Sequence, residues 1–170
     1  MKTKILTLMA LMTAIALIIH VLEAQIPPIV PIPGIKLGLS NIVTVLALYL
    51  LKKPEAIAVV CLRVILGSIF GGGFSALLYS AAGSVLCLCV MLPLSIKIPP
   101  QYMYLLSILG AAAHNLGQIL MAIVITKTPG LIVYLPVLIL SGCITGLFTG
   151  LCATVLYDRL NKLKIRRREQ

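Results

Sequence analysis

Acidic side chains are the scarcest functional groups in this sequence. The 170 residues include only 4 acids, and these are isolated from one another: Glu23, Glu55, Asp158 and Glu169. Magnesium-dependent chemistry on diphosphates needs clustered carboxylates to hold the metal. The sequence therefore predicts no such centre, and we expect neither a metal nor another cofactor.

Nucleotide-binding and hydrolytic motifs are missing as well. There is no GxxxxGK[ST] loop that would cradle ATP phosphates, and no HExxH or GxSxG. The 5 cysteines lie within apolar runs, form no CxxC and are odd in number. We interpret them as small apolar fillers rather than a disulfide framework. Together these absences predict a protein that is not an enzyme.

Charge of either sign is rare, and apolar residues dominate. Charged residues make up 11% of the chain and apolar residues 61%, against about 25% and about 45–50% in soluble domains. This composition is typical of an integral membrane protein. The net charge of +10 comes from basic residues placed between and after apolar runs. That placement indicates membrane topology rather than nucleic-acid binding.

Six apolar segments are candidates for membrane helices in a single domain covering residues 1–170. Their approximate ranges are 5–24, 37–51, 55–70, 75–94, 102–125 and 135–157. The first is too long for the apolar core of a signal peptide and lacks a cleavage pattern. The proline-rich "QIPPIVPIPG" cannot lie inside a helix, so we expect an outer loop or re-entrant segment there. Residues 158–170 form a basic tail that we expect to contact membrane lipid.

The basic residues predict which side of the membrane each loop faces. With both termini in the cytoplasm, inner segments hold 11 of the 14 lysines and arginines, whereas the outer segments hold only Lys36 and Lys127. Short loops that are rich in lysine and arginine stay inside. The sequence therefore predicts an all-α multi-pass protein of the bacterial cytoplasmic membrane with cytoplasmic N- and C-termini.

Strong hydrogen-bonding side chains interrupt these apolar segments, mainly toward the outer side. The candidate substrate-binding residues are His20, Glu23, Lys36, Asn41, Arg63, His114, Asn115 and Gln118. The spacing of the last three is typical of one helix face. An unpaired polar group in hydrocarbon costs several kcal/mol, so these side chains must face protein or water.

Two interpretations of these polar residues are open. Glu23 could pair with Arg63 while the fifth-helix residues bond to neighbouring helices. Alternatively, the set could line an outward-opening pocket for a small solute, in which an anionic group would suit Arg63 or Lys36. The bias toward one side of the membrane favours the pocket.

Small residues form two stripes. Ala10 and Ala14, with Thr3 and Thr7, follow one face of the first helix toward the cytoplasm. Gly142, Gly146 and Gly150 form GxxxGxxxG on the sixth helix. Such ridges favour close helix packing. Spacing alone leaves open whether each partner helix belongs to this chain or to another protein.

Four stretches resemble the Gx transporter family, whose members are often labelled heptaprenyl diphosphate synthase component I. They are "KLGLSNI", "LRVILGSIFGG", "AHNLGQ" and "GCITGLFTGL", and the similarity extends over nearly the whole chain. That family is similar to the substrate-binding S components of energy-coupling factor (ECF) transporters. The resemblance implies a six-helix subunit that captures a vitamin-like or quinone-precursor solute from outside.

The resemblance also implies partners. An S component assembles with a membrane T component and two ABC-type ATPases, and an alanine-x-x-x-alanine motif on its first helix docks the T component. Ala10 and Ala14 match that spacing and location. A prenyl diphosphate synthase uses aspartate-rich motifs, which this chain lacks, so the alternative is a non-catalytic membrane partner of such an enzyme. A solitary transporter is a third hypothesis.

Overall fold

The computed structural model describes residues 2–23, 25, 38–71 and 73–166. Within these residues the chain forms helices joined by short turns and contains no strand. The α-helices are α1 (Lys2–Glu23), α2 (Asn41–Leu50), α3 (Lys53–Gly71), α4 (Gly73–Lys97), α5 (Met103–Thr126) and α6 (Leu135–Arg166). Short 3-10 helices at Pro100–Tyr102 and Pro129–Tyr134 precede α5 and α6.

Local chemistry explains several helix ends. At the start of α3, the Glu55 carboxylate accepts a hydrogen bond of 2.9 Å from the backbone N–H of Lys52, as in a capping box. Gly73 has φ +69°, a value that side chains disfavour, and it separates α3 from α4. Lys127 takes a left-handed conformation at the end of α5, two residues before Pro129. These residues set the ends of the long apolar helices.

Two helices differ in extent from the sequence prediction. The segment expected at 37–51 becomes helical only at Asn41, because residues 38–40 form a turn that begins with Gly38 at φ +81°. The last helix continues to Arg166 through much of the predicted basic tail. Arginine, leucine and lysine there are good helix formers, so positive charge alone does not end a helix.

The expectation of an all-helical membrane protein is confirmed for the described residues, whereas the predicted six spans are not confirmed. Among the described residues, four helical stretches are long and apolar enough to cross a membrane: Thr3–Glu23, Gly73–Lys97, Pro100–Thr126 and Pro129–Lys162. The ten-residue α2 is only about 15 Å long, half of a hydrocarbon core of about 30 Å. Helix α3 is not among the four stretches, and it carries three charged residues, Lys53, Glu55 and Arg63.

Helix α5 lies between α4 and α6 and packs against both at close backbone distance. A β-carbon added at Gly117 would lie 2.6 Å from the carbonyl oxygen of Ala82 on α4. One added at Gly146 on α6 would lie 2.9 Å from the α-carbon of Ile108. The GxxxGxxxG ridge therefore lies against α5 of the same chain. The three helices form a tightly packed layer.

Helix α1 is peripheral by comparison. Within the described residues it packs mainly against α3 and α2. Its membrane-span window is 17% buried, the same fraction as that of α6 and well below the 44% of the window that contains α5. The C-terminal end of α1 nevertheless places polar side chains against the other helices, so α1 forms one wall of the bundle.

The glycine contacts predict a position-specific cost for a single added methyl group. We expect Gly146→Ala to lower the free energy of unfolding by about 1–3 kcal/mol, because backbone atoms of α5 block the new β-carbon. Gly130→Ala is the matched control, since no atom lies within 4 Å of its added β-carbon. Chemical unfolding in detergent micelles measures both. Equal stability losses would contradict the assigned α5–α6 contact.

Candidate functional site

A buried arginine lies at the centre of the polar residues. Arg63 is ten residues from the start of α3, or about 15 Å along the helix axis, and is 5% exposed. Its Nη1 donates to Ser40 Oγ at 2.7 Å and Asn41 Oδ1 at 3.2 Å, and its Nη2 donates to Ser84 Oγ at 3.4 Å. A single guanidinium thus joins α3 to the start of α2 and to α4.

Glu23 supplies the negative charge of this cluster. It lies at the end of α1, is 4% exposed, and interacts electrostatically with Arg63. One of its carboxylate oxygens also accepts a hydrogen bond from the backbone N–H of Gly38. Glu23 therefore ties the end of α1 to the turn before α2, while its charge opposes that of Arg63.

The fifth-helix residues divide between two faces. The His114 ring and the Gln118 side chain lie against Gly83 of α4, where an added β-carbon would be 2.9 Å and 3.0 Å from them. Asn115 instead donates through Nδ2 to the carbonyl oxygen of Leu138 on α6, at 2.6 Å. Residues four apart differ by about 40° around a helix, whereas neighbours differ by about 100°. The interpretation that all three share one face is therefore corrected for Asn115.

A polar cavity lies between four of the helices, α1, α3, α4 and α5. It has a volume of about 20 Å³ and is partly open. Five of the predicted residues line it: His20, Glu23, Arg63, His114 and Gln118. Asn41 reaches the site through its bond to Arg63. Lys36, the remaining predicted residue, lies outside the described residues. The structure therefore brings together side chains that are widely separated in the sequence.

Sequence reasoning missed several small residues of the site. Gly38, Ser40, Val64 and Ser80 also line the cavity, and Ser84 binds Arg63. Ser80 and Ser84 are four apart on an apolar helix, which was a usable signal of a polar face. Ser40 lies in the turn before α2, so helical spacing of polar residues could not identify it. Serines are easily overlooked because their hydroxyls can also bond to their own helix backbone.

Several buried polar atoms near the site lack a protein partner among the described residues. They are Nδ2 of Asn41, Oγ1 of Thr44 and Nδ1 of His114, on side chains that are 4%, 2% and 6% exposed. Buried polar groups are normally hydrogen-bonded. Of the three side chains, His114 lines the cavity, so its Nδ1 marks a place where water or a solute can bind. No group of three or more histidine, cysteine or acidic side chains in the described part of the chain could hold a metal ion.

A larger groove lies between α4 and α5, but its chemistry differs. Its volume is about 510 Å³, and its lining is entirely apolar: Ala81, Ala82, Val85, Leu86, Gly117, Leu120, Met121 and Val124. Such a surface within two membrane-spanning helices suits hydrocarbon chains. It offers no side-chain hydrogen bonds with which to select a polar solute, so the Arg63 cavity is the candidate site.

The small residues of α1 face away from this site. Ala10 and Ala14 are exposed, as are Thr3 and Thr7 on the same stripe. Gly142, Gly146 and Gly150 are instead buried against α5. Of the two small-residue stripes, the one on α1 is therefore left open to another helix in the described part of the chain.

Comparison with known proteins gives a family and no individual relative. No curated protein and no solved structure matches the chain. Residues 12–156 match a family described as heptaprenyl diphosphate synthase component I. The match includes α2 to α5 in full, most of α1 and most of α6, and therefore every described residue of the cavity. This protein belongs to the heptaprenyl diphosphate synthase component I family.

Proposed function

We propose that the protein is the substrate-binding S subunit of an ECF-type importer in the bacterial cytoplasmic membrane. It captures a small vitamin-like or quinone-precursor solute from outside, and its solute site is the cavity around Arg63. In this proposal α2 and α3 complete a bundle of six membrane helices, and both termini are cytoplasmic. The subunit is not an enzyme.

The observation that carries the proposal is the division of α1 between two surfaces. Toward the end of the helix, His20 and Glu23 line the polar cavity. Toward the beginning, Ala10 and Ala14 are exposed. A solitary channel has no need for the second surface, whereas a subunit that binds a membrane partner does.

The depth of the polar cluster agrees with capture from outside. Arg63 lies about 15 Å from Lys53, and His114 is a similar distance from the start of α5. Both are therefore near mid-membrane when Lys52, Lys53 and Lys97 mark the cytoplasmic surface. His20, Glu23 and Gly38 lie further toward the opposite surface. The polar residues thus extend from mid-membrane toward the outside.

Energy for uptake would come from partners. The sequence has no ATP-binding loop, and its acids do not form a chain along which protons could move. We infer that a T component binds the open stripe on α1 and that ABC-type ATPases act through it. The close approach of two helices at Ala10 and Ala14 would resemble other small-xxx-small contacts in membranes.

The family description favours a second candidate function. A protein called component I of a prenyl diphosphate synthase is expected to have a partner component. With a single aspartate in the sequence, this chain would be a non-catalytic membrane partner of that enzyme. It would then co-purify with a soluble, aspartate-rich protein and change the rate or product length of prenyl transfer.

Mild-detergent affinity purification followed by mass spectrometry separates the two functions. The transport proposal predicts a membrane T component and ATPases among the retained proteins, together with a small solute. Retention of an aspartate-rich synthase without ATPases would overturn that proposal in favour of the second one.

The docking surface predicts a loss of partners without a loss of fold. Ala10→Leu and Ala14→Leu should each reduce the amount of co-purified T component at least several-fold, because the larger side chains hold the partner helix away. Cys89→Leu is the matched control, a small exposed position on α4. Unchanged recovery of partners in both alanine variants would show that α1 docks nothing there.

The two faces of α5 predict opposite phenotypes for neighbouring residues. His114→Ala and Gln118→Ala should reduce the amount of solute retained per folded protein, since both side chains line the cavity. Asn115→Ala should lower thermal stability by removing the bond to Leu138, yet leave solute retention unchanged. Mass spectrometry of the bound solute and a melting curve measure the two effects. Equal solute loss in Asn115→Ala would place that residue in the site.

A further inference from the structure

The size of the Arg63 cavity limits what can reach its innermost part. The volume of the cavity is about 20 Å³. A cavity that holds one water molecule needs a volume of roughly 10–15 Å³. One oxygen-sized group therefore fits, whereas a carboxylate or phosphate brings three to five heavy atoms. Because the backbone of Ala82 and Gly83 on α4 lies directly against Gly117 on α5, this part of the wall has little freedom to retreat.

The charges around the cavity restrict the occupant independently. Among the described lining residues, Arg63 is the one strong base and Glu23 the one acid. They interact electrostatically, and the hydrogen bonds of Arg63 described above all end on neutral oxygens. When His20 and His114, which also line the cavity, are neutral, the charges of Arg63 and Glu23 cancel. A buried anion would leave one uncompensated negative charge, which is strongly unfavourable in a membrane interior.

The hydrogen-bonding groups also suit a neutral oxygen. Nδ1 of His114 is buried and has no partner in the described chain, and its ring borders the cavity beside Ser80 and Ser40. A hydroxyl group or water can donate to an imidazole nitrogen and accept from a serine. A bound water would thus satisfy a buried group that protein atoms leave without a hydrogen bond.

From these three observations, we propose that the cavity is a subsite for one uncharged oxygen function. Water occupies it in the free protein, and a hydroxyl group of the solute, which can also donate to the imidazole nitrogen, replaces that water on binding. Carboxylates and phosphates are excluded by size and by charge. The part of this proposal that concerns the solute rests on the proposed transport function, whereas the water and the exclusion of anions do not.

The charge balance is tested with chloride, a monatomic anion that is smaller than a carboxylate or phosphate group. Binding is measured as broadening of the ³⁵Cl NMR line by the purified protein. The pH is 8, above the ordinary histidine pKa of about 6.5, so that an ordinary histidine is neutral. Gluconate keeps the ionic strength constant when the chloride concentration changes. We expect no specific broadening for the native protein. Glu23→Gln leaves Arg63 unopposed and should produce broadening, which Glu23→Gln combined with Arg63→Gln should abolish again. Asp158→Asn, an exposed acid outside the site, should behave like the native protein.

Two outcomes would overturn the charge argument. Broadening in the native protein that Arg63→Gln removes would show that the site accepts anions. No broadening in folded Glu23→Gln would show that charge matching is not what excludes them. The water is tested separately, so the proposal stays falsifiable even when Glu23→Gln does not fold.

The water is tested by magnetisation transfer from water to the labelled His114 ring of the protein in lipid bilayers. We expect transfer in the native protein. We expect none in Ser80→Val, because the valine side chain fills the cavity. Ser68→Val, outside the cavity lining, is the control. Absence of transfer in the native protein would remove the proposed water. Failure to recover T component or ATPases, with the chloride and water results as expected, would instead reject the transport function and leave the subsite intact.

Discussion

The burial of the Arg63 charge constrains the rest of this fold. An ionised side chain buried away from water is strongly unfavourable unless hydrogen bonds and an opposite charge compensate it. Arg63 is stabilised by hydrogen bonds to oxygens of two neighbouring segments and by the opposite charge of Glu23. The start of α2, the middle of α4 and the end of α1 must therefore converge on α3. The position of the short α2 follows from this requirement, because its first turn places Asn41 next to the guanidinium of Arg63.

The glycine contacts give this polar centre a rigid wall. At Gly117 and Gly146 the backbones of α4, α5 and α6 approach so closely that a methyl group would collide with a neighbouring helix. His114 and Gln118 lie against Gly83 of α4 and line the cavity together with residues of α1 and α3. The side of the cavity formed by α1 is different, since that helix is mostly exposed and packs mainly on α2 and α3. Rearrangement that admits a solute larger than one oxygen would therefore be easiest on the α1 side.

Much of the fold and part of the site could be predicted from sequence, for identifiable physical reasons. Apolar runs of membrane length predicted helices, and strong polar residues inside them predicted convergence. The i, i+4 spacing of His114 and Gln118 identified a shared face. Asn115 was assigned to that face too readily, because adjacent residues on a helix diverge by about 100°. Ser40 could not be predicted, since its role depends on where a turn places it relative to Arg63. The glycine ridge predicted close packing, but identifying α5 as its partner required the three-dimensional structure.

The charge balance at Arg63 also bears on the family to which the chain belongs. A diphosphate carries at least two negative charges and is normally held by several cationic groups or by metal ions on clustered carboxylates. The described cavity offers one guanidinium, already opposed by Glu23, and room for about one oxygen atom. Under our proposal, a role in prenyl diphosphate metabolism would be indirect, through a partner or through a neutral solute. The chain would thus share the prenyl synthase description without binding the diphosphate group itself.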